Sequence, residues 1–105
     1  MSTSVLEPLA GALVVRRRRE IGVTIVTAEG EVATPDVPRF MDVVEDCVIE
    51  SEDDVVLDFT DVSFLSITAL VGLNEAKRSL EKSGRSMRIR VPENGIRRYL
   101  SLVGL

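Results

Sequence analysis

The chain has 105 residues, 45% apolar and 29% charged, a balance that suits one domain with a modest core. Its formal net charge of -4 and pI near 4.8 argue against non-specific nucleic-acid binding, which needs clustered positive charge to displace counterions. With no histidine and a single cysteine, Cys47, imidazole catalysis, histidine metal sites and an internal disulfide are excluded, and the cysteine poverty fits a reducing cytoplasm.

Residues 1–11 read as a lead-in. They carry no basic stretch ahead of their apolar residues, so no signal peptide is expected, and no apolar run approaches the roughly 20 residues of a membrane span. ALVVRRRRE (Ala12 to Glu20) and VTIVTAEGEV (Val23 to Val32) are rich in Val, Ile and Thr and predict two strands. Ile21 and Gly22 between them predict a hairpin. In TPDVPRFMDVVEDCVIE, the residues Phe40, Val43, Val44, Cys47 and Val48 recur at helical spacing. Thr34 can cap this helix, with Pro35 at its first position and Pro38 tolerable only in its first turn.

The acidic run ESEDD (Glu50 to Asp54) predicts a solvated connection. VVLDF (Val55 to Phe59) predicts a strand buried on both faces. A long helix is expected from about Ser66 to Ser83, closed by Gly84, with Lys77, Arg78 and Lys82 suiting the dipole at its end. SMRIRV (Ser86 to Val91) alternates as a strand and Pro92 breaks it. Ile96, Tyr99, Leu100 and Val103 mark a last short helix. The order β-β-α-β-α-β-α predicts an α/β fold: a mixed sheet, with an N-terminal hairpin followed by parallel strands, and helices in the β-α crossovers.

Four features bear on function. Asp58 and Asp61 could together bind Mg²⁺ or serve as acid and base, but they equally end a strand and shape a turn. Alternation sends two of Arg16 to Arg19 to each face of the first strand, either as a docking strip for an acidic partner or as protection of a sheet edge. Cys47 lies on the apolar stripe of the first helix, where a thiol is buried and inert. On the second helix, Ala69, Leu73, Ala76 and Leu80 line the core face. Ile67 and Val71 then point the other way, beside Asn74 and Arg78. Ser66 or Thr68 is placed to cap that helix or to accept a phosphate at its positive end. No GxxxxGK[ST] loop is present, and no catalytic constellation or cofactor motif is visible, so a non-enzymatic role is expected.

The stretch VVLDFTDVSFLSITALVGL resembles the STAS domain, the module named for sulfate transporters and anti-sigma factor antagonists. The family pattern is a hydrophobic strand, Asp-Leu-Ser, Val-x-Phe-hydrophobic, then Asp-Ser-Ser-Gly-Leu. Gly30 and Glu31 match the Gly-Glu that follows the family's second strand, and RRYLSLVGL resembles its last shared stretch. The resemblance covers residues 12–105. In stand-alone bacterial members an anti-sigma factor kinase phosphorylates the first Ser of Asp-Ser-Ser-Gly, and the unphosphorylated form binds that kinase and frees the sigma factor. Laid on this chain, the Asp becomes Ser66, the acceptor Ile67, the second Ser Thr68 and the Gly Ala69. The Asp that usually follows Gly-Glu-Leu becomes Ala33.

The resemblance therefore implies a cytoplasmic interaction protein that binds a kinase-like anti-sigma factor in a partner-switching pathway, through Ser66, Ile67, Thr68, Val71 and Asn74, without the usual serine switch. Ser66 and Thr68 remain as substitute phosphoacceptors. No direct nucleic-acid contact is implied, and a homodimer is left open. The alternative is a STAS subunit of another assembly, such as a stressosome-like signalling complex or a transporter.

Overall fold

The β-branched runs of the first quarter form the expected hairpin. A computed structural model describes residues 13–91, 98, 100, 101, 104 and 105. In it, β1 (Val14–Glu20) pairs antiparallel with β2 (Val23–Val32), from Val14 opposite Glu29 to Glu20 opposite Val23. The intervening Ile21–Gly22 turn places Gly22 at φ 73°, a conformation that costs glycine little.

Two prolines divide the start of the next element. A 3₁₀ turn, Thr34–Asp36, precedes α1 (Val37–Glu50). Thr34 does not act as the cap: it lies inside the 3₁₀ turn, Ala33 holds the cap position, and neither this turn nor α1 has a side-chain cap bond. Pro35 and Pro38 each fall in a first turn, where a missing N–H removes one of the donors a cap would satisfy.

The third strand is longer than VVLDF suggests. β3 spans Asp54–Leu65 and pairs parallel with β2. Its register slips between Thr27 and Glu29 and again between Gly30 and Glu31, so β3 accommodates two extra residues as bulges. Asp58 and Asp61 consequently sit within the strand and do not end it. At the first slip, Asp58 Oδ1 accepts from both the amide (3.1 Å) and hydroxyl (2.6 Å) of Thr60, a local bond that competes with the ladder. Gly30 and Glu31 likewise lie inside β2 rather than after it.

From β3 the chain passes directly into α2 (Ile67–Lys82), with Ser66 as its N-cap. Gly84 closes it at φ 76°. The Gly84 amide donates to Glu81 and the Arg85 amide to Leu80, the paired bonds of a Schellman ending. β4 (Met87–Arg90) then pairs parallel with β3. The sheet order is β1-β2-β3-β4. Leu100 and Ser101 are helical where the last helix is expected; Ile96, Tyr99 and Val103 lie outside the described residues.

Both helices cover the sheet face that carries Val26, Ala28, Val55, Leu57 and Phe59, and they bring Phe40, Val44, Cys47, Ala69, Leu73 and Leu80 to a common core. The Phe40 and Phe59 rings are tilted with centroids 5.9 Å apart, a favourable arrangement. Gly72 lets the helices approach, since a Cβ there would meet the Met41 sulfur at 2.9 Å. Arg85 fastens the layer together, donating to the carbonyls of Cys47, Val48 and Asp53 at 3.2, 2.9 and 3.0 Å.

Candidate functional site

The site grows from the point where β2, β3 and α2 meet. The β2–β3 ladder ends with Val32 opposite Leu65, and the Ser66 amide extends it by donating to the Val32 carbonyl at 2.9 Å. Ser66 keeps extended backbone (φ -71°, ψ 155°), and its hydroxyl accepts from the Ala69 amide at 3.3 Å. The helix start is thus pinned to the end of the sheet, and one of its orphan amides is already satisfied.

The five residues named from the sequence divide by exposure. Ile67 and Val71 are 64% and 58% exposed, as the helical phase predicts, and Thr68 is exposed beside them. Asn74 is half-buried. Ser66 is buried at 5%, with its hydroxyl engaged in the cap. Ala69, Leu73, Ala76 and Leu80 are buried on the opposite side.

Sequence reasoning missed Phe64. It lies beyond the VVLDF run, and period-two alternation from buried Val62 would turn it toward the core. The bulge between Gly30 and Glu31 breaks that alternation, so Val62 and Leu65 both turn inward and Phe64 is left 49% exposed. Gly30, at φ 105°, is the sequence signal of the irregularity. Phe64, Ile67 and Val71 therefore form an apolar series from the end of β3 along the first turns of α2. The Thr68 hydroxyl is the polar group among them. Such a surface can bind another molecule, but it offers no acid–base pair.

The other candidate groups have structural partners. Each arginine of the β1 run meets a carboxylate: Arg16 with Glu29 (3.0 Å), Arg17 with Glu50 (3.1 Å), Arg18 with Glu20 (3.2 Å) and Arg19 with Asp53 (2.9 Å). The alternate partners show two arginines directed to the helical side and two away from it. The Thr60 hydroxyl and amide bonds hold the Asp58 carboxyl below the usual aspartate range, with Arg90 and Arg18 assisting and partial burial opposing. Asp61 is exposed. No group of three or more potential metal ligands occurs among the described residues. Burial, only partly offset by Arg17, pushes the Cys47 thiol up, against reactivity as a thiolate. No helix among the described residues is long and apolar enough to cross a membrane.

The fold is shared with solved anti-sigma factor antagonists. One from Mycobacterium paratuberculosis superimposes with a TM-score of 0.81 at 21% identity, covering 91% of this chain and 81% of that one. An antisigma-factor antagonist STAS domain from Rhodobacter sphaeroides gives 0.61 at 22% identity, covering 74% and 85%. The Bacillus cell fate determinant SpoIIAA, in its phosphorylated form, gives 0.69 at 15% identity, covering 88% and 85%. At these identities the likeness concerns the fold alone. Among curated proteins, none matches the chain. The sequence itself goes further, since residues 12–105 match the STAS domain family across the hairpin, the parallel strands and the α2 junction alike. This chain belongs to the STAS domain family.

Proposed function

We propose that this protein is an antagonist of a kinase-like anti-sigma factor that binds its partner through the start of α2 and lacks the usual serine phospho-switch. The observation that carries the reading is the exposure of Ile67, 64%, with Val71 at 58%, at the position the family resemblance assigns to the phosphoacceptor. Fully burying an aliphatic side chain of this size is worth roughly 1.5–3 kcal/mol, and small apolar clusters tend to dominate interface energies. A phosphoryl group would add about -1.5 to -2 charges and repel a partner at such a contact. Isoleucine cannot accept one. Partner release is then governed by something other than phosphate at residue 67. Thr68 is the more accessible of the two neighbouring hydroxyls, because Ser66 is buried and capping.

The test is titration of wild-type protein and Ile67→Asp against the anti-sigma factor, beside thermal melting of each free protein. The variant should melt like wild type and bind about 30-fold or more weakly, the equivalent of roughly 2 kcal/mol. Unchanged affinity removes Ile67 from the interface, and a collapsed melting temperature assigns it to the core. Incubation with the kinase and ATP should leave the intact mass unchanged. A full phosphate shift at Ser66 or Thr68 would mean that the switch has moved by one residue. No binding to any anti-sigma factor, with capture by a stressosome or transporter component, would favour the other assembly.

A further inference from the structure

Beyond the start of α2 lies a shallow groove between α1 and α2, about 240 Å³ in volume, lined by Glu45, Val48, Ile49, Gly72, Glu75, Ala76 and Ser79. Its depth has a simple origin. Gly72 has no side chain and Ala76 only a methyl group, so the α2 surface recedes beside α1. The Met41 side chain packs against Gly72. The floor is apolar, and Ile49, 79% exposed, stands at its margin. The walls are acidic: Glu45 comes from α1 and Glu75 from α2. Neither carboxylate is in an ion pair among the described residues, whereas every arginine of the β1 run is. Beyond the groove, α1 as a whole is acidic, with Asp42, Glu45, Asp46 and Glu50 against a single Arg39, although Glu50 pairs with Arg17.

We propose that the groove docks a basic, amphipathic helical segment of the partner. Its apolar residues cover Ile49 and Val48, and a lysine or arginine lays its methylene stem along Gly72 and Ala76 with its cationic head between Glu45 and Glu75. Charge complementarity selects this occupant: two unpaired carboxylates facing one groove repel each other and any acidic segment, and a cation between them relieves both. An amphipathic helix is the shape that lays an apolar stripe into a groove between two helices. The groove adjoins the Ile67–Val71 patch through Gly72, so the proposal deepens the antagonist reading by giving the chemistry of the partner surface. It rests on that reading only for the partner's identity.

The probe is a fluorescein-labelled 16-residue amphipathic peptide of Leu, Arg and Ala, titrated into the full chain and followed by anisotropy at low and high salt. Wild-type protein should bind it saturably, and more weakly at high salt. The double variant Glu45→Gln/Glu75→Gln, which keeps volume and removes the charge, should bind at least tenfold more weakly. Glu52→Gln/Glu81→Gln loses the same net charge outside the groove and should stay within twofold of wild type. Ile67→Asp should still bind the peptide. Absence of saturable binding to wild type would overturn the proposal. So would equal losses in the two double variants, because net charge alone would then account for the attraction. Loss of the peptide with Ile67→Asp but not with the groove variants would also overturn it, by placing recognition at the helix start. If the peptide behaves as expected while Ile67→Asp leaves anti-sigma factor binding intact, the groove stands and the antagonist reading fails by itself.

Discussion

Ser66 and Ile67 are adjacent in sequence but serve different ends: one hydroxyl holds the helix start, and one aliphatic side chain faces solvent. The same division of labour appears at Asp58, whose carboxylate accepts two bonds from Thr60 and lies 3.9 Å from Arg90. Its folded pKa is lowered, so the unfolded chain takes up its proton first as pH falls. The stabilisation is fully present above the ordinary aspartate value, about 3.9. It is lost as pH drops through the lower folded value. Asp58→Asn should therefore cost on the order of 1 kcal/mol at neutral pH, since a neutral acceptor replaces a charged one. The difference from wild type should shrink in acid. Urea unfolding of both proteins at pH 7 and near pH 3 checks this, and a difference independent of pH would show that the Thr60 bonds do not depend on the charge.

At the scale of elements, the molecule is tied together where a helix ends. The Schellman bonds after Leu80 turn the chain so that the Arg85 side chain reaches back to α1. There it satisfies the carbonyls of Cys47 and Val48, two of the four that a helix C-terminus leaves open, and then that of Asp53 at the approach to β3. The positive guanidinium also suits the negative end of the α1 dipole. One side chain thereby fixes α1, the entry to β3 and the exit from α2. Replacing it by methionine keeps much of the stem and removes all three donors. Arg85→Met should lower stability by about 2 kcal/mol or more, measured by denaturant midpoint. A loss below about 0.5 kcal/mol would mean that water serves these carbonyls equally well.

For the whole molecule, β2 and β3 are the central strands of the sheet, and β1 and β4 its edges. Amides of Ile25, Val26, Val56 and Leu57 should exchange with solvent only through global unfolding, while β1 should exchange by local fraying. Hydrogen exchange followed by NMR checks this ordering, and equal protection in β1 would mean that its outer edge is covered. Much of this architecture is legible in the sequence, because period-two and period-3.6 patterns record which face is buried. The hairpin at Ile21–Gly22, the α2 limits and the Gly84 ending follow from such local chemistry. The length of β3 does not, because its bulges depend on pairing with β2, a partner more than 30 residues away along the chain. The exposure of Phe64 is hidden for the same reason. The α1 start departs from expectation because two prolines compete to open it. Ile67 and Val71 are legible from helical phase alone, whereas the full apolar series with Phe64 depends on the register slip.

The bond from the Ser66 amide to the Val32 carbonyl has a thermodynamic consequence. It places Ile67 and Val71 on a helix whose first residue is anchored to the central strand pair, not on a loop that must be ordered on contact. A partner meeting this surface finds it already shaped, so little conformational entropy is lost on this side of the complex. The heat-capacity change of association should then follow the apolar area covered, without the additional negative contribution that accompanies folding on binding.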